Sequence, residues 1–164
     1  MRVPDADQRT ASGPRRTDRA RRRIAAPADR LFDAWTDPDL LVRWLPPHGM
    51  TARVDQLDVR PGGGFRLVLA YDDAAVAGKS GGNEDSLAAR FVAVDPPRHL
   101  AFVSTFDSDD PAFQGEMRMD WHFDAEGDAT RVRVIASDVP PGISAEDHAE
   151  GMTASLDQLA ALVE

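Results

Sequence analysis

"RPGGGFRLVL", residues 60–69, is the stretch on which the fold turns. Three glycines beside an arginine can cradle a phosphate, or they can turn a chain into a strand. A phosphate loop needs its glycines to open onto a helix, because the free amides of a helix N-terminus hold the anion. Gly62, Gly63 and Gly64 lead instead into Phe65, Leu67, Leu69 and Tyr71, which alternate with Arg66, Val68, Ala70 and Asp72. No Lys-Ser or Lys-Thr stands directly after them. Period-two alternation marks a half-buried strand. The glycines therefore read as a turn and bulge that re-aims the chain, and a nucleotide site is rejected.

The same period continues downstream. Leu87, Ala89 and Phe91 share a face, and after the turn "DPPRH" so do Leu100, Phe102, Ser104 and Phe106. Met117, Met119, Trp121 and Phe123 alternate with Glu116, Arg118, Asp120 and His122; beyond the turn "EGDAT", Val132 and Val134 alternate with Arg131 and Arg133. Short strands joined by turn residues describe an antiparallel meander with one buried face. Upstream, "DRARRRIAA" (18–26) reads as a first strand whose arginines face solvent.

Two short helices follow that strand. Leu31, Phe32 and Trp35 make one apolar face behind Pro27, and Leu40, Leu41, Trp44 and Leu45 make a second behind a cap at Thr36 or Asp37. Pro38 separates them, and Pro46 and Pro47 end the second. At the C-terminus, Met152, Leu156, Leu159 and Val163 form one stripe of a long helix capped by Ser144, with Asp147 three residues on. Gly151 inside it suggests a bend or a close approach. The result is an α+β domain: a curved antiparallel sheet around a long terminal helix, with two short helices after the first strand. Residues 1–16 read as a mobile basic leader and 17–164 as a single domain.

Composition narrows the function. With 42% hydrophobic residues the chain can bury a core, and with no cysteine it holds no disulfide, thiolate metal site or cysteine nucleophile. No apolar run approaches the roughly 20 residues of a membrane span, and the start lacks a signal peptide's apolar region. A cytoplasmic location is expected, with no membrane partner. The net charge of −9 divides into +5 for residues 1–23 and −14 for the rest. An acidic body repels a phosphate backbone, so no nucleic-acid partner is expected.

None of His48, His99, His122 and His148 stands in a metal spacing such as HExxH, so no metal and no cofactor are expected. His122 alternates with Asp120 onto the solvent face, and His99 falls in a turn. His148 can share a helix face with Met152, Ser155 and Leu159 toward the sheet. "GNEDS" (82–86) reads as a turn whose Glu84 or Asp85 could pair with His148 for proton transfer.

Four separated stretches, "FDAWTDPDLLVRWLPP", "VRPGGGFRLVL", "FVAVDPPRHLAFVSTF" and "EGMTASLDQLAALVE", resemble domains related to the C-terminal half of the heat-shock-protein-90 ATPase activator. These belong to the SRPBCC or START-like superfamily, with the helix-grip fold of birch-pollen allergens and lipid-transfer proteins. The resemblance spans about residues 18–164. One departure is Met152, where family members often carry Trp.

The resemblance implies a hydrophobic cavity between sheet and terminal helix, and a small hydrophobic or aromatic molecule as partner. Expected lining residues are Trp35, Trp44, Phe65, Phe91 and Phe102 from the helices and first half of the sheet. Met117, Met119 and Trp121 complete the sheet side, and His148, Met152 and Ser155 the helix side. The kinked helix pair and the loop "AVAGKSGGNED" (75–85) are expected at the mouth. A chaperone co-factor and a cyclase- or dehydratase-type enzyme acting on an aromatic or polyketide-like substrate are the alternatives. Docking on heat-shock protein 90 is not expected, since the activator's partner-specific N-terminal domain has no counterpart here. Catalysis is not expected either, as no nucleophile stands beside a base. A homodimer stays open.

Overall fold

Strand and helix alternate along the chain much as the hydrophobic periods dictate. A computed structural model describes residues 15–46, 49–71, 84–105 and 110–164. The order is β1 (Arg16–Ile24), α1 (Ala28–Thr36), α2 (Pro38–Trp44), β2 (Met50–Leu57), β3 (Gly64–Tyr71), β4 (Glu84–Asp95), β5 (His99–Thr105), a 3-10 turn (Pro111–Phe113), β6 (Glu116–Glu126), β7 (Ala129–Val139) and α3 (Ala145–Val163). The expected leader lies outside the described residues as far as residue 14, and Arg16 already belongs to β1. The expected mouth loop lies outside them up to residue 83, and so do Phe106 and His48.

The seven strands form one open antiparallel sheet in the order β1-β7-β6-β5-β4-β3-β2. Register breaks at Arg16/Asp18, Val54/Gln56 and Phe91/Ala93 bend it. Its concave face carries the core. There Phe65, Leu67, Phe91, Leu100, Phe102, Met117, Met119, Trp121, Phe123, Val132 and Val134 meet Met152, Leu156, Leu159, Ala160 and Val163 of α3. Among the described residues no helix is long and apolar enough to cross a membrane.

The glycine stretch is a turn that ties β3 to β4. The Gly62 amide donates to the Phe91 carbonyl at 2.9 Å and the Gly63 amide to the Arg60 carbonyl at 2.8 Å. Those amides are consumed internally, so the loop offers no cradle for a phosphate. Gly62 has φ +88°, and a Cβ on Gly64 would lie 2.5 Å from the Ala89 carbonyl oxygen. Each glycine is required for a different reason, one by conformation and the other by backbone contact.

Capping follows the sequence signals. The Asp37 carboxylate accepts from the Asp39 amide at 2.9 Å, and Ser144 Oγ accepts from the Asp147 amide at 3.0 Å. At the end of α1 the Ala34 carbonyl faces Pro38, which has no N–H to give. The Trp44 indole fills that gap, Nε1 donating at 2.9 Å, and so locks α2 onto α1. Gln158 of α3 then donates Nε2 to the carbonyls of Trp44 and Pro46, holding the helix pair against the terminal helix.

Two expectations are corrected. Not all arginines of β1 face solvent: Arg16 and Arg22 alternate onto the side of Ile24 and reach α3 and its entry. Arg16 donates Nη2 to the Ile143 carbonyl at 2.6 Å, and Arg22 pairs with Asp157. An apolar helix beside an edge strand leaves a rim at which long side chains can bury their stems and keep their charge wet. Gly151 makes no close approach: it is exposed and a Cβ there would meet nothing within 4 Å.

Candidate functional site

The space between sheet and α3 is filled at one end by aromatic rings. Trp35 stands at their centre, its ring 5.2 Å from those of Trp44 and Trp121, 5.5 Å from Phe102 and 6.0 Å from Phe65. Phe65 in turn lies 5.7 Å from Phe91 and 5.0 Å from Phe102. Three of these six pairs, Trp35–Trp44, Trp35–Trp121 and Phe65–Phe102, are edge-on, a geometry that aromatic quadrupoles favour. Trp35, Trp44 and Phe91 are sealed from solvent. Kinked helices carrying tryptophans are thus a plug for this end of the grip.

The other expected lining residues form a second group with a different character. Met117, Met119 and Phe102 keep 7, 9 and 7% exposure and Ser104 and Met152 keep 5%, whereas Leu67, Phe91 and Leu100 around them keep none. These residues are neighbours by register: Phe102 faces Met119 and Ser104 faces Met117 across β5 and β6. Ala89 lies opposite Ser104 on β4. Packing is therefore less tight at this patch than around Leu67, Phe91 and Leu100, and small and flexible side chains stand there. Ser155 is half-buried on α3.

Polar satisfaction inside is incomplete. Trp35 Nε1 and Trp121 Nε1 are buried without a hydrogen-bond partner among the described residues, and so is Gln158 Oε1. A buried indole N–H left unpaired costs about 1–3 kcal/mol. Both tryptophans adjoin that patch: Trp35 packs on Phe102, and Trp121 stands two residues along from Met119 on the same strand face.

His148 is set apart from the rings. Its Nδ1 lies 2.7 Å from Asp18 Oδ2, while Asp18 Oδ1 accepts from Arg16 Nε at 2.8 Å. The Arg16 hydrogen bond, with the His148 contact behind it, outweighs burial and holds the Asp18 carboxyl below the usual carboxylate range. Asp18 lies opposite Ala136 of β7. The pair therefore closes the rim between β1 and the start of α3, with Asp18 as its carboxylate; the side chains of Glu84 and Asp85 lie outside what the structure describes. "GNEDS" is not a turn throughout, since β4 already begins at Glu84.

The convex face carries a group that the spacing of histidines does not show. His99 opens β5 rather than lying in the turn, directly opposite His122 of β6. Their rings stack 4.4 Å apart at 12°, and His99 Nε2 lies 2.8 Å from Asp120 Oδ1. Arg118 donates to both oxygens of Asp120, Nε at 2.9 Å and Nη2 at 3.2 Å. Burial raises the Asp120 carboxyl, but the Arg118 and His99 hydrogen bonds more than offset this and bring it below its ordinary value. Farther along the same face Arg133 pairs with Asp124, and Arg131 and Arg23 with Glu126. Between β1 and β7 an open groove is lined by Arg19, Arg21, Arg133 and Ile135.

A curved antiparallel sheet that closes on one long terminal helix, with a helix pair plugging one end, is a helix-grip domain. The match is at family level as well: the model of the family described as "Activator of Hsp90 ATPase homolog 1-like protein" matches residues 25–164, and the chain belongs to that family. Among solved structures it is similar to protein CV1439 from Chromobacterium violaceum, with 27% identity, a TM-score of 0.78 and coverage of 90% of this chain and 96% of that one. Protein Ms6760 from Mycobacterium smegmatis shares the fold at 23% identity and TM-score 0.68, covering 90% of each chain. An AHSA1-like protein from Aeromonas hydrophila does so at 22% and 0.68, covering 88% of this chain and 90% of that one. No curated protein matches the chain.

Proposed function

We propose that the chain binds a small, largely apolar or aromatic molecule between the sheet and α3, at the patch formed by Phe102, Ser104, Met117, Met119 and Met152. The observation that carries this reading is the set of small and flexible side chains that face one another there, Ser104 opposite Met117 and Phe102 opposite Met119, which keep 5–9% exposure while Leu67, Phe91 and Leu100 keep none. Methionine side chains adapt to ligands of varied shape, and an apolar wall with few polar groups is the usual make-up of such sites. The unpaired N–H groups of Trp35 and Trp121 add a preference. A ligand with one carbonyl or hydroxyl oxygen would give a buried donor the partner it lacks. Heat-shock protein 90 has no part in this reading.

The test is tryptophan emission during titration with a series of apolar and aromatic carbonyl compounds, together with native mass spectrometry of the freshly purified chain. Saturable binding that Ser104→Leu abolishes by filling the patch is the expected result. Absence of binding across the series, or binding indifferent to Ser104→Leu, overturns the proposal.

A further inference from the structure

The stacked histidines on the convex face are not accounted for by anything inside the grip. His99, Asp120 and His122 offer two imidazole nitrogens and a carboxylate oxygen, and these ligand atoms all lie within 4.8 Å of one another. All three side chains are half-buried. We infer that His99, Asp120 and His122 form a binding site for a divalent transition-metal ion such as Zn2+, Ni2+ or Cu2+.

Geometry makes the first argument. Bonds of about 2.0–2.2 Å to nitrogen or oxygen put neighbouring ligands of one metal roughly 3 Å apart. His99 Nε2 and Asp120 Oδ1 stand 2.8 Å apart already. The third ligand is on hand because His122 is the direct cross-strand partner of His99, and directly opposed residues hold their Cβ atoms about 4.5–5.5 Å apart. From parallel rings at 4.4 Å, rotation of the His122 side chain brings a nitrogen to the same point. The backbone need not move.

Chemistry makes the second. Imidazole nitrogens with one carboxylate select borderline d-block ions over Mg2+ and Ca2+, which call for all-oxygen sets. Three protein ligands leave further positions to water or to an incoming group. Arg118 sets the limit on affinity, because its guanidinium occupies both oxygens of Asp120 and its charge opposes that of the ion. It is exposed and can swing away.

The sheet explains why the site is easy to overlook. Twenty-three positions separate His99 from His122, and only the β5–β6 register makes them neighbours. The hairpin also holds the ligands on two rigid strands rather than on a loop, which favours a fixed geometry.

The experiment is isothermal titration of the metal-free full chain with Zn2+ and, separately, with Ni2+ and Cu2+, in the presence of excess Mg2+. One equivalent of each is expected to bind, Cu2+ most tightly, and Cu2+ should show two coupled nitrogens in its electron paramagnetic resonance spectrum. His99→Ala, His122→Ala and Asp120→Asn should each weaken Zn2+ at least tenfold, with circular dichroism confirming that they remain folded. His148→Ala and His48→Ala should leave affinity unchanged. Arg118→Gln should tighten binding severalfold, an effect a site elsewhere would not show. No saturable binding in the micromolar to millimolar range overturns the inference. So does a Zn2+ affinity that His122→Ala leaves unchanged, or that His148→Ala or His48→Ala weakens as much.

Discussion

Two glycine-to-alanine substitutions of identical chemistry should move stability in opposite directions. At Gly151 the backbone is helical and a Cβ meets nothing within 4 Å, so alanine adds no clash. Alanine in an exposed helix interior is better than glycine by about 0.8–1.0 kcal/mol, largely because the unfolded chain loses less entropy on folding. At Gly64 the same Cβ would stand 2.5 Å from the Ala89 carbonyl oxygen, a backbone atom of the neighbouring strand. Ordinary carbon contacts begin near 3.4 Å, so β3 and β4 must part by several tenths of an ångström. The hydrogen bonds around the turn, Gly62 to Phe91 and Phe91 to Gly63 at 2.9 and 2.8 Å, resist that movement. Forcing added atoms into packed structure costs about 1–3 kcal/mol, and the two variants should therefore differ by about 2–4 kcal/mol. For a chain of this length 1 kcal/mol corresponds to roughly 2–4 °C in Tm. Differential scanning calorimetry of both variants beside the parent reads the result directly. Equal shifts, or a Gly64→Ala chain as stable as the parent, would refute the account of the glycine stretch as a close-packed turn.

Three further expectations concern the core and the rim. Met152→Ala should cost about 2–5 kcal/mol as a buried truncation and alter probe affinity at the inner patch, whereas Asp157→Ala, which loses only its exposed pair with Arg22, should cost no more than about 1 kcal/mol; urea unfolding of both compares them. Trp44→Phe removes the indole donor to the Ala34 carbonyl behind Pro38 and should add about 1–3 kcal/mol to the effect of lost volume, visible in the same assay. The Asp18 carboxyl is held below its ordinary value of 3.8 by Arg16 and His148, so the stability it contributes is present at neutral pH and is lost as pH falls through its lowered folded value. Unfolding free energies of the parent and Asp18→Asn should accordingly differ at pH 7, keep that gap down to about pH 4 and converge only as pH falls further; a gap that stays unchanged on the acid side of about pH 4 would show that the charge plays no part.

What was legible in the sequence is whatever one-sided burial writes into a local period. Met117, Met119, Trp121 and Phe123 point inward because alternate residues of a strand must, and Met152, Leu156, Leu159 and Val163 are buried because they share one side of a helix. The glycine turn was legible too, since a strand pattern after it denied the helix a phosphate needs. Register was not. Whether His99 meets His122 depends on how the chain returns between β5 and β6, and nothing local in "DPPRH" or "MDWHF" encodes it. The closure of β1 on β7 joins residues more than a hundred positions apart. Asp18 consequently looked like one more polar residue of a basic strand, and its contact with His148 had no sequence signal. The absence of a close approach at Gly151 has a related reason: the cost of glycine in a helix is local, but the space beside it is set by tertiary packing.

Register also explains how one hairpin serves both faces. Along β5 and β6 the pairs run His99–His122, Leu100–Trp121, Ala101–Asp120 and Phe102–Met119. Each step crosses the sheet, so the polar group and the apolar wall interleave residue by residue while their side chains occupy opposite sides. Period-two geometry lets the outer side chains change without altering the volume within. His122→Ala should then weaken metal binding and leave the Met117–Met119 wall as it was, and Ser104→Leu should fill the inner patch and leave the imidazoles in place. The two proposals thus stand or fall separately, although Trp121 is flanked along its own strand by two of the three metal ligands.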